Sequence, residues 1–161
     1  MITNVFTVDF EDWYQGIELP YNQWNKYERR IEKGLFPLLD ALEQRNVKGT
    51  FFTLGWVAKE YPELIKRLAA GGHELASHGY THEKVYNLTP QQFRKEIRDT
   101  KHIIEDLTSQ EVTAFRAPFF SITNKSLWAL PILAEEGYTI DCSISPIKTW
   151  RYGITSCPDE I

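Results

Sequence analysis

The chain reads as an α/β fold built on parallel strands, and three observations carry that reading. Short β-branched and aromatic runs alternate with stretches of helical period along its length. The connections are long enough for the helical crossovers that parallel strands require. Clusters of carboxylates, histidines and arginine fall at the C-terminal ends of the runs, where sites in parallel α/β folds collect. At 161 residues, one domain spanning residues 1–161 is expected.

The elements follow in order. "NVFTV" (4–8) predicts a buried first strand. Ile31, Leu35, Leu38, Leu39 and Leu42 recur at helical spacing and predict a helix over 28–45, broken or kinked at Pro37. "KGTFFTL" (48–54) is the second strand. "YPELIKRLAAGG" is a helix with Pro near its start and glycines at its end. "HELAS" (73–77) is the third strand and runs directly into His78. Thr89, Pro90 and Gln92 form a capping-box start for a helix whose apolar stripe is Phe93, Ile97, Ile104 and Leu107. "VTAFRAP" (112–118), a helix over 124–136 and "YTIDCSI" (138–144) complete the alternation, and 145–161 has no period.

Composition excludes several classes. The net charge is −4 and no Lys/Arg run exceeds a pair, which argues against a nucleic-acid partner. No apolar run approaches the ~20 residues needed to cross a bilayer. The N-terminal segment lacks the basic and apolar regions of a signal peptide, so a cytoplasmic location is the expectation. Cys142 and Cys157 are too few and too far apart for a cysteine zinc site, and are expected to be free thiols.

The chemistry concentrates in three places. "DFEDW" carries Asp9, Glu11 and Asp12, three carboxylates whose crowding calls for a counter-charge. His78 and His82 offer two nitrogens from one turn after the third strand. A water-activating divalent metal wants three protein ligands and an open position, and these two clusters share one face. Arg116, ending the fourth strand, can hold a carboxylate by paired hydrogen bonds.

"TVDFEDW", "GHELASHGYTH" and "FRAPFFSIT", in this order, resemble the first three motifs of the polysaccharide deacetylases, the NodB-homology or carbohydrate esterase family 4. "KGTFFTLGW" is similar to the family's second strand. "GYTIDCSISPIKTWRYGI" resembles a subgroup linked to exopolysaccharide and O-antigen biosynthesis, whose first motif ends in an acidic pair followed by Trp. The resemblance implies a distorted (β/α) barrel that removes N-acetyl groups from an amino-sugar polysaccharide or its precursor. It implies Asp9 as catalytic base, tuned by Arg116, and His78 and His82 as ligands of a divalent metal, expected to be Zn²⁺. Asp12 is the preferred third ligand and Glu11 the alternative, because the family's two adjacent aspartates are here separated. A backbone N–H near Phe119 would help hold the oxyanion, and Trp13 and Phe119 would contact substrate.

The sequence departs from the family at its end. No residue matches the family's general-acid His: His102 lies mid-helix among charges, and His73 precedes the third strand. Asp141 matches the fourth motif only in part. Five strands are readable where the family barrel has more, so residues 1–161 are expected to be a C-terminally truncated domain of low activity. Its open edge would favour a homodimer. Two rival readings remain: a non-catalytic metal- or carbohydrate-binding remnant, and a cyclic amide or ureide hydrolase of the same fold.

Overall fold

The structure is a computed structural model that describes residues 4–155. Five parallel strands form one sheet in sequence order: β1 (Thr7–Phe10), β2 (Thr50–Thr53), β3 (Glu74–Ser77), β4 (Ala114–Phe115) and β5 (Ile140–Asp141). Between them lie α1 (Ile31–Gln44), α2 (Gly55–Glu60), α3 (Pro62–Ala70), α4 (Pro90–Thr108) and α5 (Ala129–Glu135). Consecutive parallel strands joined by helices follow from sequential crossovers of one hand.

Strand alternation gives the sheet two faces. Phe51 and Leu75 join the main core with Ile65, Leu68, Phe93, Ile97 and Ile104 from the helices. Phe52, Ala76 and Ala114 form a separate small cluster on the other face, flanked by Cys142. Asp9 pairs with Phe52, and Phe52 with Ala76, so Asp9 belongs to this second face. Period two then assigns Glu11, His78 and Arg116 to it as well, because each follows one of its members by two residues.

Several expected elements differ in extent. The first strand is shifted to Thr7–Phe10, and as a sheet edge it is not buried: Val5 is 74% exposed and Phe6 40%. α1 continues through Pro37 without a break; Pro37 lies on the exposed side, where solvent can satisfy the carbonyl that loses its intrahelical donor. The expected 124–136 helix is turns followed by the shorter α5. The fourth and fifth strands have only two residues each. α2 has no counterpart in the sequence reading. Its six residues are too short to show a period, and tertiary contact stabilises it: the Gly55 and Trp56 amides donate to the Gly79 and Tyr80 carbonyls. A Cβ at Gly55 would stand 2.3 Å from Thr100 Oγ1, so only glycine fits there.

The capping box of α4 forms as expected, with the Gln92 amide donating to Thr89 Oγ1 and the Thr89 amide to Gln92 Oε1. α3 has Pro62 in its first turn and Gly72 in the left-handed region after its end. Cys142 is a free thiol, and Cys157 lies outside the described residues. Among the described residues, no helix is long and apolar enough to cross a membrane.

His73 is buried just before the central strand β3, and its Nδ1 accepts the Gly49 amide at 3.2 Å. That bond needs a neutral ring. Burial, followed by nearby Lys48, holds the His73 pKa below its ordinary value. In the unfolded chain the ring titrates near ~6.5. Below that pH the unfolded state binds a proton that the folded state does not, so His73's contribution is complete above pH ~6.5 and declines toward the folded pKa. In urea unfolding between pH 8 and 5, His73→Asn, which still accepts from Gly49 but cannot titrate, should give a shallower acid decline. The difference should approach one proton, about 1.4 kcal/mol per pH unit at most.

Candidate active site

His78 follows β3 directly and is 2% exposed. Its Nδ1 lies 2.7 Å from the Arg116 carbonyl oxygen, which can only accept, so Nδ1 carries the hydrogen and Nε2 presents a lone pair. Burial pushes the His78 pKa down, opposed in part by Asp9 and Glu11, and a neutral ring is the ligating form. His82 lies one turn on, its ring centroid 5.1 Å from that of His78.

Glu11 completes the cluster. One ligand atom from each of Glu11, His78 and His82 lies within 4.8 Å of the others. Glu11 Oε2 approaches His82 Nε2 to 2.9 Å, yet this buried oxygen has no hydrogen-bond partner. Two donor atoms meeting without hydrogen-bond alignment, beside a third lone pair, are arranged for a cation between them. The carboxylate and two imidazoles therefore fit a divalent metal with one or more open positions. Gly16 leaves room for the carboxylate, since a Cβ there would stand 2.9 Å from Glu11 Oε1.

Asp12, preferred from the sequence, is not in this cluster, whereas Glu11, its alternative, is. Asp12 shares the strand face of Phe10 and is 2% exposed. Its Oδ2 accepts the Arg30 and Ile31 amides at 2.8 and 3.1 Å, and its Oδ1 accepts the Trp13 amide. The first two amides open α1, whose own N-cap residue, Arg30, provides no side-chain cap. Asp12 is thus a long-range helix cap placed at the positive end of the helix dipole.

Asp9 and Arg116 meet as expected. Arg116 Nη1 donates to Asp9 Oδ1 at 2.7 Å and Nη2 to Thr7 Oγ1 at 3.1 Å. The guanidinium lies 3.9 Å from the Phe52 ring centroid, so stacking and two hydrogen bonds fix its plane. The Arg116 amide donates to the Ser77 carbonyl. One residue therefore holds Asp9 with its side chain and orients His78 with its carbonyl. The Ala117 amide donates to Ser143 Oγ, which in turn donates to Asp141, so Asp141 braces the turn that carries Arg116.

Trp13 is 44% exposed, with Nε1 donating to the Glu28 carbonyl. It lines a groove of about 470 Å³ that also includes Asp9 and Glu11. Phe119 packs against His82 at 4.6 Å between ring centroids. His82, Phe119 and Phe120 all have positive φ, at 56°, 56° and 51°. Left-handed backbone at non-glycine residues costs about 1–3 kcal/mol each and gathers where geometry is functionally constrained.

Sequence reasoning missed what holds the histidine loop. Glu96 of α4 accepts the Tyr80 and Thr81 amides at 2.7 and 2.8 Å and the Thr81 hydroxyl at 2.6 Å. Thr100 donates to the Gly79 carbonyl. Thr100 was detectable in principle, since a polar residue interrupts the Phe93–Ile97–Ile104 stripe; Glu96, beside that stripe, left no such signal. Replacing Glu96 with Ala leaves the Tyr80 and Thr81 amides without their acceptor. Chemical denaturation should show a loss of about 1–3 kcal/mol, and a metal-chelator competition about tenfold weaker metal retention.

Residues 17–139 match the family model described as polysaccharide deacetylase. A peptidoglycan-N-acetylglucosamine deacetylase of Bacillus cereus is 36% identical over 93 residues, covering 57% of this chain and 34% of the relative. One from Listeria monocytogenes is 32% identical over 115 residues, covering 71% and 23%. The chain therefore spans about a third or less of the length of these two relatives. A solved structure from Mycobacterium smegmatis assigned to the polysaccharide deacetylases superposes with TM-score 0.71 at 29% identity, covering 85% of this chain and 49% of that one. A mutant of a carbohydrate esterase family 4 pseudoenzyme, with restored enzymatic activity, superposes with TM-score 0.64 at 22% identity, covering 85% of this chain and 43% of that one, and speaks to the fold alone. With its parallel α/β sheet and this span of matching sequence, the chain belongs to the polysaccharide deacetylase family.

Proposed function

We propose that this chain carries the base and metal-binding side of a deacetylase that hydrolyses the N-acetyl amide of an amino sugar in a polysaccharide or its precursor. The observation that carries the reading is the convergence of Glu11, His78 and His82 on the same sheet face as Asp9 held by Arg116. The two nitrogens and one carboxylate suit zinc. A bound divalent cation would polarise the amide carbonyl and make water a better nucleophile.

The protein's own groups do the remainder. Asp9 takes up the nucleophile's proton on Oδ2, while Oδ1 stays engaged by Arg116 Nη1. Arg116 keeps that carboxylate oriented, its own plane fixed by the bonds to Asp9 and Thr7. The hydrogen bond to the Arg116 carbonyl keeps the His78 lone pair turned outward. Phe119 packs against His82 and limits water on that side, and a backbone N–H beside it is a candidate oxyanion donor.

A second reading, a metal- and carbohydrate-binding domain with little turnover, is favoured by the placement of the remaining histidines. His73 hydrogen-bonds at the opposite end of β3, and His102 is exposed on α4. Neither can protonate a leaving amine at the Glu11–His78–His82 cluster. The resemblance of residues 137–154 to the O-antigen and exopolysaccharide subgroup favours a precursor substrate over a finished wall polymer, which would accord with a cytoplasmic setting.

Two measurements test the proposal: metal content after dialysis against zinc, and amine released from N-acetylglucosamine oligosaccharides. About one ion per chain with slow amine release supports the hydrolase. One ion with no amine from any oligosaccharide favours the binding domain. Failure to retain metal, even with zinc supplied, would sink both.

A further inference from the structure

A second cavity lies outside the cluster and shares no lining residue with it, and its charge differs from that of the rest of the molecule. It measures about 400 Å³ and lies between residues 148–153 and the turn at 123–125. Tyr86, Lys125, Lys148, Trp150, Arg151 and Tyr152 line it. Every charged residue of the lining is a cation, in a chain with 22 acidic and 18 basic residues. Among the described residues, neither Lys125 nor Lys148 is within 4.0 Å of a carboxylate.

The wall that carries most of these groups is a built loop. Its ends are tied where the Ile154 amide donates to the Ser145 carbonyl at 2.9 Å. Its tip is tied where the Arg151 and Tyr152 amides donate to Thr149 Oγ1 at 3.2 and 3.0 Å. Gly153 closes it at φ 106°, where a Cβ would stand 2.2 Å from the Ile147 carbonyl oxygen. A compact loop with joined ends and internal bonds is a surface feature able to carry function. At its tip Trp150 is 88% exposed, and the ring face not covered by Arg151 is open for stacking.

The loop also connects to the cluster through one residue. The Arg151 guanidinium lies 4.5 Å from the Trp150 ring centroid and 5.2 Å from that of Phe119, the ring that packs against His82. Arg151 is held there by Glu18 at 2.8 Å, which also binds Lys84. A saccharide bound with one unit at the cluster would thus extend across Phe119 toward a cavity with an aromatic platform and two ammonium groups that have no carboxylate partner among the described residues.

We propose that this cavity is a subsite for an anionic saccharide: a sugar unit bearing a carboxylate or a phosphate, next to the unit whose amide is hydrolysed. Trp150 stacks on the apolar face of the ring, and Lys125 and Lys148 meet its charge. The proposal rests on the deacetylase reading for the identity of the neighbouring unit, but not for binding itself.

Calorimetric titration tests it with three probes: neutral chitotetraose, a hyaluronan tetrasaccharide carrying carboxylates, and N-acetylglucosamine 1-phosphate. The hyaluronan fragment should bind about tenfold more tightly than chitotetraose at low salt, an advantage lost as salt rises. The double charge reversal Lys125→Glu/Lys148→Glu, on exposed side chains, should abolish that preference and leave chitotetraose affinity unchanged. Trp150→Ala should weaken both tetrasaccharides about tenfold. Sensitivity of the hyaluronan fragment to charge reversal identifies a carboxylate as the ligand group, and sensitivity of the phosphosugar identifies a phosphate. Equal affinity for neutral and charged probes, indifference to charge reversal, or no binding at millimolar concentration would each overturn the subsite. Metal retention does not depend on this subsite and tests the metal-binding part of the deacetylase reading separately.

Discussion

Glu11→Gln is expected to abolish tight metal retention while leaving the fold intact, and Asp12→Ala to do the reverse. Glu11 Oε2 is buried, lacks a hydrogen-bond partner and lies with the histidine nitrogens in one small space. Removing its charge removes a ligand and relieves a buried carboxylate, so stability in metal-free buffer should hold or rise. Asp12 accepts three backbone amides, two of them at the start of α1. Without its carboxylate these donors are stranded beside a helix N-terminus, and a loss of about 2–5 kcal/mol follows. Elemental analysis and chemical denaturation on both variants check the pair. If Asp12→Ala lost metal at full stability, and Glu11→Gln kept it, the placement of the two carboxylates would be wrong.

The second large effect belongs to the Asp9–Arg116 pair. Asp9→Asn should lower amine release by about 10²–10⁴-fold, the usual contribution of a positioned base, without changing metal content. Arg116→Lys should also be damaging, because an ammonium cannot reach both Asp9 and Thr7 while stacking on Phe52. Its signature should differ from that of Asp9→Asn: the rate should survive in part, because the carboxylate that takes the proton remains while its orientation is loosened. Amine release by the two variants, measured side by side, separates the residue that takes the proton from the one that positions it.

Much of this site was legible because it depends on local order. His78 follows β3 by one residue and Arg116 follows β4 by one, so locating the strands located the side chains. Asp9 is within β1. The choice between Glu11 and Asp12 was legible too, by a rule that family likeness obscured. Alternation puts Asp9 and Glu11 on one face and Phe10 and Asp12 on the other, and Phe10, 3% exposed, marks the core side. The family's adjacent aspartates gave no reason to apply it.

Local sequence was enough to set the alternation of strands and helices, the capping box of α4, the end of α3 and the gathering of polar groups at strand ends. These rest on interactions between residues a few positions apart, whose spacing can be read directly along the chain. The remainder came only with folding: Asp12 as a cap 18 residues from the amide it binds, Glu96 as the clamp on the histidine loop, and the closed loop that places Trp150 and Arg151 beside Phe119. Folding also decided that α2 forms at all. Most of these are bonds between segments far apart in the chain, made when a buried polar group takes the partner the fold brings within reach. No periodicity marks such a bond, because its second half is supplied only by the folded backbone.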